Sequence, residues 1–277
     1  MDMRPGGIWR LIIALAAVAL LLPAPWASRD AAAQAATGQP YKIGVTYPLS
    51  GPRAAWGLLL LPNAEIAVQQ INTAGGVNGR PLELVIEDTK GNPEGAVSAM
   101  RKVVQIDRVA AIVSIFTNVV SAQMPLADQL KVPVVSTVEA PGLVGKSEWA
   151  FAHGLFLSRT IPAVAERWKT QGVKRICGLK YDTVAAKKLI DAYRAKMGFD
   201  PDYAGLEVYD IIHMIAQAIK ANGYNGDAIR RGLTEIKDFR SIGGVLVTMG
   251  KDRQSIVPIA LYQVKDAAKP TFVEIAT

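Results

Sequence analysis

Short apolar segments alternate along most of the chain with segments of helical periodicity. Helices are predicted from the i, i+3, i+4 spacing of apolar residues, and strands from short runs rich in β-branched residues. The predicted strands of the first half are residues 41–47, 82–87, 109–114, 132–136 and 147–153, and the predicted helices are residues 58–72, a segment opening at Asn92-Pro93, and residues 119–130. This β-α-β-α-β-α-β order predicts an α/β protein with a mostly parallel, doubly wound sheet.

The second half at first continues the alternation of strands and helices and then departs from it. Residues 161–171 are predicted as a helix and residues 175–181 as a strand, but residues 183–198 carry no strand signal. The clearest amphipathic helix of the chain is predicted at residues 202–222, followed by a helix at 226–237 and closing strands at 245–247, 258–264 and 272–275. The alternation of strands and helices is therefore interrupted after Asp182.

The N-terminus has the pattern of a secretory signal peptide. Two arginines precede an uncharged apolar run at residues 11–22, which is shorter than the about 20 residues needed to span a bilayer. Ala33-Gln34-Ala35 has the small-x-small pattern of a cleavage site. We therefore predict a signal peptide at residues 1–35 and an exported protein that starts near Ala36. An uncleaved membrane anchor is the alternative.

Composition excludes several classes of protein. With 50% hydrophobic and 20% charged residues, the chain of 277 residues is not disordered as a whole. A single cysteine, Cys177, excludes an intramolecular disulfide framework and a thiolate-rich zinc site. The net charge of +7 is dispersed along the sequence, whereas nucleic-acid-binding proteins concentrate basic residues on one face. A nucleic-acid partner is therefore not expected.

The sequence offers no set of residues for catalysis, a metal ion or a cofactor. No P-loop, G-x-S-x-G or G-x-G-x-x-G motif is present, and the glycine-rich segment at 75–79 precedes a predicted strand, as a turn does. His153 and His213 have no carboxylate or cysteine at ligand spacing, and His213 is interpreted as a partly buried structural residue. Glu87-Asp88 is interpreted as a solvated loop rim, and Cys177 as a core residue. We predict that the protein is not an enzyme.

Several segments, in order, resemble the type I periplasmic solute-binding proteins, in the leucine/isoleucine/valine-binding branch that serves ABC importers. The resemblance lies in Ile43-Gly44-Val45, Pro48-Leu49-Ser50-Gly51-Pro52, Trp56-Gly57, the specific string from Ile71 to Arg80, Glu87-Asp88, Val132 to Ser136, Gly172 to Arg175, Tyr203 to Gly223, and Asp238-Phe239 to Gly244. It implies two Rossmann-like lobes joined by three crossings, with a ligand held between them.

The resemblance also implies a shortened second lobe. In the family, several further βα units follow the strand that resembles residues 175–181, but here the chain runs directly into Leu189 to Tyr193, which resembles the helix returning to lobe one. The expected organisation is a discontinuous lobe one (residues 36–154 and 189–277) and a remnant of lobe two (residues 155–188). An internal deletion near residues 185–188 would explain it.

Ligand contacts are expected where parallel strands end at their carboxyl termini. By resemblance, Trp56 covers the ligand, Thr117 and Asn118 hold its carboxylate at a helix start, and Ser136, Thr137 and Glu139 meet its ammonium group. A structural alternative stays open for most of them. Trp56 would then be a core or lobe-interface residue, Thr117 and Ser136 would cap helices or turns, and Glu139 would be a solvated loop acid.

The function implied by the resemblance is transport, and the location it implies for the exported protein is the periplasm. The chain would bind a branched-chain amino acid or a similar small amino or carboxylic acid and deliver it to an ABC permease in the inner membrane, with no cofactor. Two alternatives remain: an exported sensing or interaction module that uses lobe one as a docking surface, and a non-functional truncated paralogue.

Overall fold

The central feature of the computed structural model is a sheet of five parallel strands. The structure describes residues 36–138, 144–154 and 184–257, together with two later strands. The strands of the sheet are β1 (Tyr41–Tyr47), β2 (Leu82–Asp88), β3 (Ile112–Ser114), β4 (Val134–Ser136) and β5 (Ala150–Ala152). They lie in the order β2-β1-β3-β4-β5, and all four neighbouring pairs are parallel. The prediction of a parallel, doubly wound sheet is confirmed.

Six helices accompany the strands in the described residues. They are α1 (Ala54–Thr73), α2 (Pro93–Arg101, continued by a π-helical turn at Lys102–Ile106), α3 (Thr117–Leu130), α4 (Val184–Met197), α5 (Tyr203–Asn222) and α6 (Gly226–Thr234). Three of them begin at side-chain caps, because the carboxylate or amide oxygens of Asn92, Asp202 and Asn225 accept hydrogen bonds from N–H groups of the first turn.

The sheet is covered on both faces, because successive side chains of each strand point to opposite sides. On β1, Ile43 and Val45 belong to an apolar cluster that includes Leu60 of α1 and Ile212 of α5. Gly44 faces the other way, towards a second cluster that includes residues of α2 and α3 and the fully buried Val103 of the π-helical turn. The result is a three-layer α/β/α arrangement.

Several predicted boundaries are wrong by a few residues. The first helix begins at Ala54, not at residue 58, and the third at Thr117, not at residue 119. Pro125 lies inside α3 without ending it. The predicted fifth strand is shorter than expected and covers Ala150–Ala152. The predicted elements at 161–171 and 175–181, the signal peptide and Cys177 lie outside the described residues.

Helix α4 packs where a returning helix was expected. Leu189 and Tyr193 are buried in the apolar cluster that contains α1 and α5. The hydroxyl of Tyr193 donates to the carbonyl oxygen of Leu59 at 3.0 Å, which joins α4 to α1. Most of the segment without a strand signal, Val184–Met197, is therefore helical and contributes to the core of the sheet-containing body.

The remaining strands form small antiparallel sheets. One contains β6 (Phe239–Arg240), β7 (Leu246–Met249) and β8 (Ser255–Ile256), and another contains β9 (Leu261–Val264) and β10 (Phe272–Ala276). Across the ranges described above, no helix has the length and apolar character needed to cross a bilayer.

Candidate functional site

The candidate ligand site lies at the carboxyl ends of β1 and β3. Strand β2 lies on one side of β1, and β3, the next strand along the chain, lies on the other side. The strand order therefore reverses between β1 and β3. Ligands of open α/β sheets bind at such switch points, outside the carboxyl ends of the strands. We use the name β1–β3 rim for residues 48–57, which follow β1, together with residues 115–118, which follow β3.

Asp88, at the end of β2, organises the loop after β1. Its carboxylate accepts hydrogen bonds from the N–H groups of Leu49 (2.8 Å), Ser50 (3.3 Å) and Lys90 (2.7 Å) and from the Ser50 hydroxyl. Partial burial raises the pKa of Asp88, but the hydrogen bonds from Ser50, Leu49 and Lys90 outweigh it and bring the pKa below its ordinary value of 3.8. Asp88 is thus a loop anchor. The neighbouring carboxylate in the sequence, that of Glu87, forms an ion pair with Lys102.

Gly57 allows α1 to approach the loop closely. A Cβ atom at this position would lie 2.0 Å from the carbonyl oxygen of Pro48, which is closer than any real Cβ contact. The glycine therefore sets the position of the first turn of α1 against the end of β1. Trp56, the preceding residue, lies in this turn and not in a loop as the sequence suggested.

Phe116 occupies a strained backbone conformation between β3 and α3. Its φ of 67° and ψ of 130° lie in a region that bulky side chains rarely adopt, at a cost on the order of 1–3 kcal/mol. This conformation ends β3 sharply and starts α3 at Thr117. Thr117 and Asn118 are consequently the first residues of the helix, whereas the sequence suggested a loop there.

The N-terminus of α3 is open to a ligand. Phe116 is the N-cap residue and cannot accept a hydrogen bond with its side chain, so within the described part of the chain no side chain caps this helix. Thr117 is exposed and Asn118 is half-buried. Unpaired N–H groups and the helix dipole favour a negative charge at this position.

Trp56 stands beside this helix start. Its indole ring meets the Phe116 ring edge to face, with 6.5 Å between the ring centroids. The Trp56 side chain is 48% exposed, so it is available to cover a ligand. The structure therefore brings three of the predicted contacts, Trp56, Thr117 and Asn118, to the β1–β3 rim.

The remaining predicted contacts follow β4. Ser136 is fully buried, and its hydroxyl donates to the carbonyl oxygen of Phe151 at 3.4 Å, whereas Thr137 is half-buried. Glu139 lies outside the described residues. All six residues therefore stay predictions as ligand contacts, and Ser136 has an identified structural partner.

A buried polar cluster beyond β5 was not expected from the sequence. His153 Nδ1 lies 3.1 Å from Ser255 Oγ, and His153 Nε2 lies 3.5 Å from Asp210 Oδ2. Ser255 also accepts from the N–H of Gly154, and Asp210 accepts from the N–H of Ile242 at 2.7 Å. These residues come from three distant parts of the chain, so sequence spacing gave no signal for the cluster.

The cluster has the residue types of a hydrolytic triad but not its accessibility. His153, Ser255 and Asp210 are exposed by 2%, 2% and 4%, respectively, which leaves a substrate no route to the serine hydroxyl across the described surface. The contacts instead tie the segment that leaves β5 to the one that returns at β8, where Ala152 and Gln254 form a parallel bridge. We interpret the cluster as an anchor for these two crossing segments.

The chain matches a known protein family over most of its length. The family model for periplasmic binding proteins matches residues 40–195 and 180–269, which together are most of the chain. The chain belongs to the periplasmic binding protein family.

Relatives of this periplasmic binding protein are named for branched-chain amino acids. Leu/Ile/Val-binding protein homolog 3 of Brucella melitensis is 36% identical over 108 residues, which are 38% of this chain and 28% of that protein. The match thus spans little more than a quarter of the relative's length.

Two solved structures share the fold. One is the branched-chain amino acid transporter substrate binding protein LivJ of Streptococcus pneumoniae in complex with isoleucine (TM-score 0.66, 18% identity, 85% of this chain and 100% of that one). The other is a solute binding protein of an ABC transporter from Rhodopseudomonas palustris with 3,4-dihydroxybenzoic acid (TM-score 0.63, 15% identity, 85% and 96%). At these identities the likeness establishes the type I periplasmic binding protein fold.

Proposed function

We propose that this protein is an exported substrate-binding protein of an ABC importer and that it is not an enzyme. Its ligand would be a branched-chain amino acid or a similar small amino or carboxylic acid. The observation that carries this proposal is the β1–β3 rim, where an uncapped helix start at Thr117 and Asn118 lies beside the half-exposed ring of Trp56. The names of the relatives support the ligand class, and the neighbour with 3,4-dihydroxybenzoic acid extends it to aromatic acids.

The mechanism is binding without chemical change. A carboxylate would dock on the N–H groups at the start of α3, which supply hydrogen bonds and a favourable dipole. The indole of Trp56 would cover the apolar part of the ligand. If the ligand is an amino acid, Glu139 would pair with its ammonium group, as the resemblance implies. The loaded protein would be recognised by an inner-membrane permease.

Isothermal titration calorimetry of the purified protein tests this function. The ligands are leucine, isoleucine, valine, benzoate and 3,4-dihydroxybenzoate, and glucose is the negative control. We expect heat of binding from at least one of the acids and none from glucose. A folded protein that gives no heat with any acid would contradict the proposal.

We further propose the division into lobes suggested by the sequence. Residues 36–154 and 189–277 would form lobe one, and residues 155–188, fewer than the about 50 residues of a small domain, would be a remnant of lobe two. The packing of Leu189 and Tyr193 against the lobe-one core supports this division. The family match is also split into two stretches, which overlap at residues 180–195, near the suggested junction. Genomic sequence across codons 182–189 tests it, because a longer intact frame there would contradict a natural deletion.

Export would depend on residues 1–35. N-terminal sequencing of the protein from the periplasmic fraction should give a start near Ala36. An intact Met1 on a protein in that fraction would contradict cleavage.

A second candidate function is an exported interaction module. It is favoured by the half-exposed apolar side chains of Trp56 and Leu58 on one helix, which an incomplete second lobe would leave without a partner. Analytical ultracentrifugation distinguishes the two functions. Oligomers that form with rising concentration and in the absence of ligand favour the interaction module, and a ligand-binding monomer favours transport.

A further inference from the structure

Arg53 is held in a fixed position at the β1–β3 rim. Its guanidinium carbon lies 4.9 Å from the centroid of the Phe116 ring, in a cation–π arrangement. Its Nη1 donates to Oδ1 of Asn118 at 2.7 Å, and the amide nitrogen of Asn118 in turn donates to the carbonyl oxygen of Gly91 at 3.0 Å. The arginine is thus tied to the same helix start that is proposed to hold the ligand.

The stem of Arg53 is fixed as well. A Cβ atom at Gly91 would lie 3.2 Å from both Cβ and Cδ of Arg53, so the glycine leaves just enough space for the stem. Gly91 also has a φ of +68°, which favours glycine on its own account. A side chain fixed at both its stem and its guanidinium loses less conformational entropy when it binds a ligand than a free surface arginine does.

The charge of Arg53 is not neutralised within the part of the chain that the structure describes. No described carboxylate lies within ion-pair distance of it, and its polar partner there is the neutral amide of Asn118. The carboxylate near the rim, that of Asp88, is already occupied by the N–H groups and the hydroxyl of its own loops. A guanidinium group has five N–H donors, and Asn118 uses one of them.

We propose that Arg53 is a specificity-determining residue that makes the site prefer ligands with a net negative charge, namely small carboxylic acids without an ammonium group, over zwitterionic amino acids of the same size. This inference rests on the proposed binding function and narrows its ligand class. Arg53 would bind a carboxylate oxygen with its remaining donors, through charge-assisted hydrogen bonds that are stronger than neutral ones. No local sequence pattern indicates this role, because Phe116 and Asn118, the partners of Arg53, lie far along the chain.

A matched pair of ligands tests the preference. Leucine and 4-methylpentanoate have the same carbon skeleton and differ by the ammonium group, so calorimetry with both isolates the effect of net charge. We expect 4-methylpentanoate to bind more tightly. Added salt should also weaken the binding of 4-methylpentanoate more than that of leucine, because ions screen the attraction between an exposed cation and a net negative ligand.

Substitution of Arg53 completes the test. R53Q should weaken 4-methylpentanoate by about tenfold to a hundredfold and leucine by clearly less, which removes the preference. R53K keeps the positive charge but lacks the planar guanidinium group, so it should retain part of the preference for 4-methylpentanoate. R101Q removes a cation from the exposed last residue of α2, which is not part of the β1–β3 rim, and should change neither affinity. Circular dichroism melts confirm that each variant is folded.

The outcomes separate this inference from the proposed function. Leucine binding at least as tightly as 4-methylpentanoate, and unaffected by R53Q, would overturn the role of Arg53 and leave the binding function standing. If neither of these two ligands binds, and none of the other acids binds either, both the role of Arg53 and the proposed binding function are overturned.

Discussion

The rings of Trp56 and Phe116 meet edge to face at the carboxyl ends of two neighbouring strands, with 6.5 Å between their centroids. Trp56 belongs to the first turn of α1, and Phe116 precedes the first turn of α3. The contact thus joins two helix starts through residues that are 60 positions apart in sequence. It gives the β1–β3 rim an aromatic wall beside a helix N-terminus.

We expect Trp56→Ala to weaken ligand binding by about tenfold while changing the melting temperature little. The indole is 48% exposed, so its removal leaves no closed cavity, but it takes away the surface that would cover the ligand. Calorimetry and thermal melts of the variant measure the two effects.

Leu58→Ala is the matched control, since Leu58 lies on the same helix and is 52% exposed. It should leave the affinity unchanged. An equal loss of affinity in both variants would indicate a general change in α1 and not a ligand contact of Trp56.

Asp88→Asn should loosen the loop after β1 and weaken ligand binding. The carboxylate accepts from N–H groups and a hydroxyl at once, and a carboxamide, with a single acceptor oxygen, cannot replace both carboxylate oxygens. Hydrogen–deuterium exchange at residues 48–53 should be faster in the variant. Exchange at the wild-type rate would show that other contacts hold the loop.

The same carboxylate should produce an acid-dependent part of the stability. The folded protein holds the pKa of Asp88 below its ordinary value of 3.8, so the stabilisation is present above that value and is lost as pH falls through the folded pKa. The difference in urea midpoint between wild type and Asp88→Asn should therefore shrink from neutral pH to about pH 3. A difference that is constant with pH would contradict this assignment.

The fold was predictable from the sequence to a greater extent than the site. Strands such as Tyr41–Tyr47 are recognised by composition alone, and their alternation with helices determines a parallel sheet. The start of α1 was placed too late because Ser50, Gly51 and Pro52 have the composition of a loop. The helix in fact begins two residues beyond that proline.

The details of the site depended on backbone geometry and long-range contacts that no local pattern carries. Phe116 adopts a left-handed φ that its residue type disfavours, and this moves Thr117 and Asn118 into a helix. Arg53 was overlooked because its ring partner is distant in sequence. His153 gained its neighbours, Asp210 and Ser255, from elements that fold back from the far end of the chain.

Gly57→Ala should destabilise the protein by about 1–3 kcal/mol, because the added methyl group would overlap the carbonyl oxygen of Pro48. Relief of that overlap requires α1 to move away from β1, and Trp56 would move with it. We therefore expect the same variant to bind ligand less tightly. Urea unfolding and calorimetry measure both effects, and unchanged values in both would show that α1 is free to shift at no cost.

His213→Phe should remove a pH-dependent loss of stability. The imidazole lies against the ring of Tyr209, with 4.5 Å between centroids, and its Nε2 is buried without a described partner. Burial lowers the pKa of His213 below its ordinary value of 6.5, and the nearby Asp210 offsets this in part. Because the unfolded chain takes up a proton more readily than the folded one, stability is complete above pH 6.5 and falls as pH is lowered through that value.

Phenylalanine keeps the ring contact with Tyr209 and cannot be protonated. Urea unfolding of both proteins between neutral pH and about pH 5 should therefore show a smaller slope with pH in the variant and equal or greater stability at the acid end. Parallel pH profiles for wild type and variant would contradict this role of His213, because the acid sensitivity would then arise from some other group.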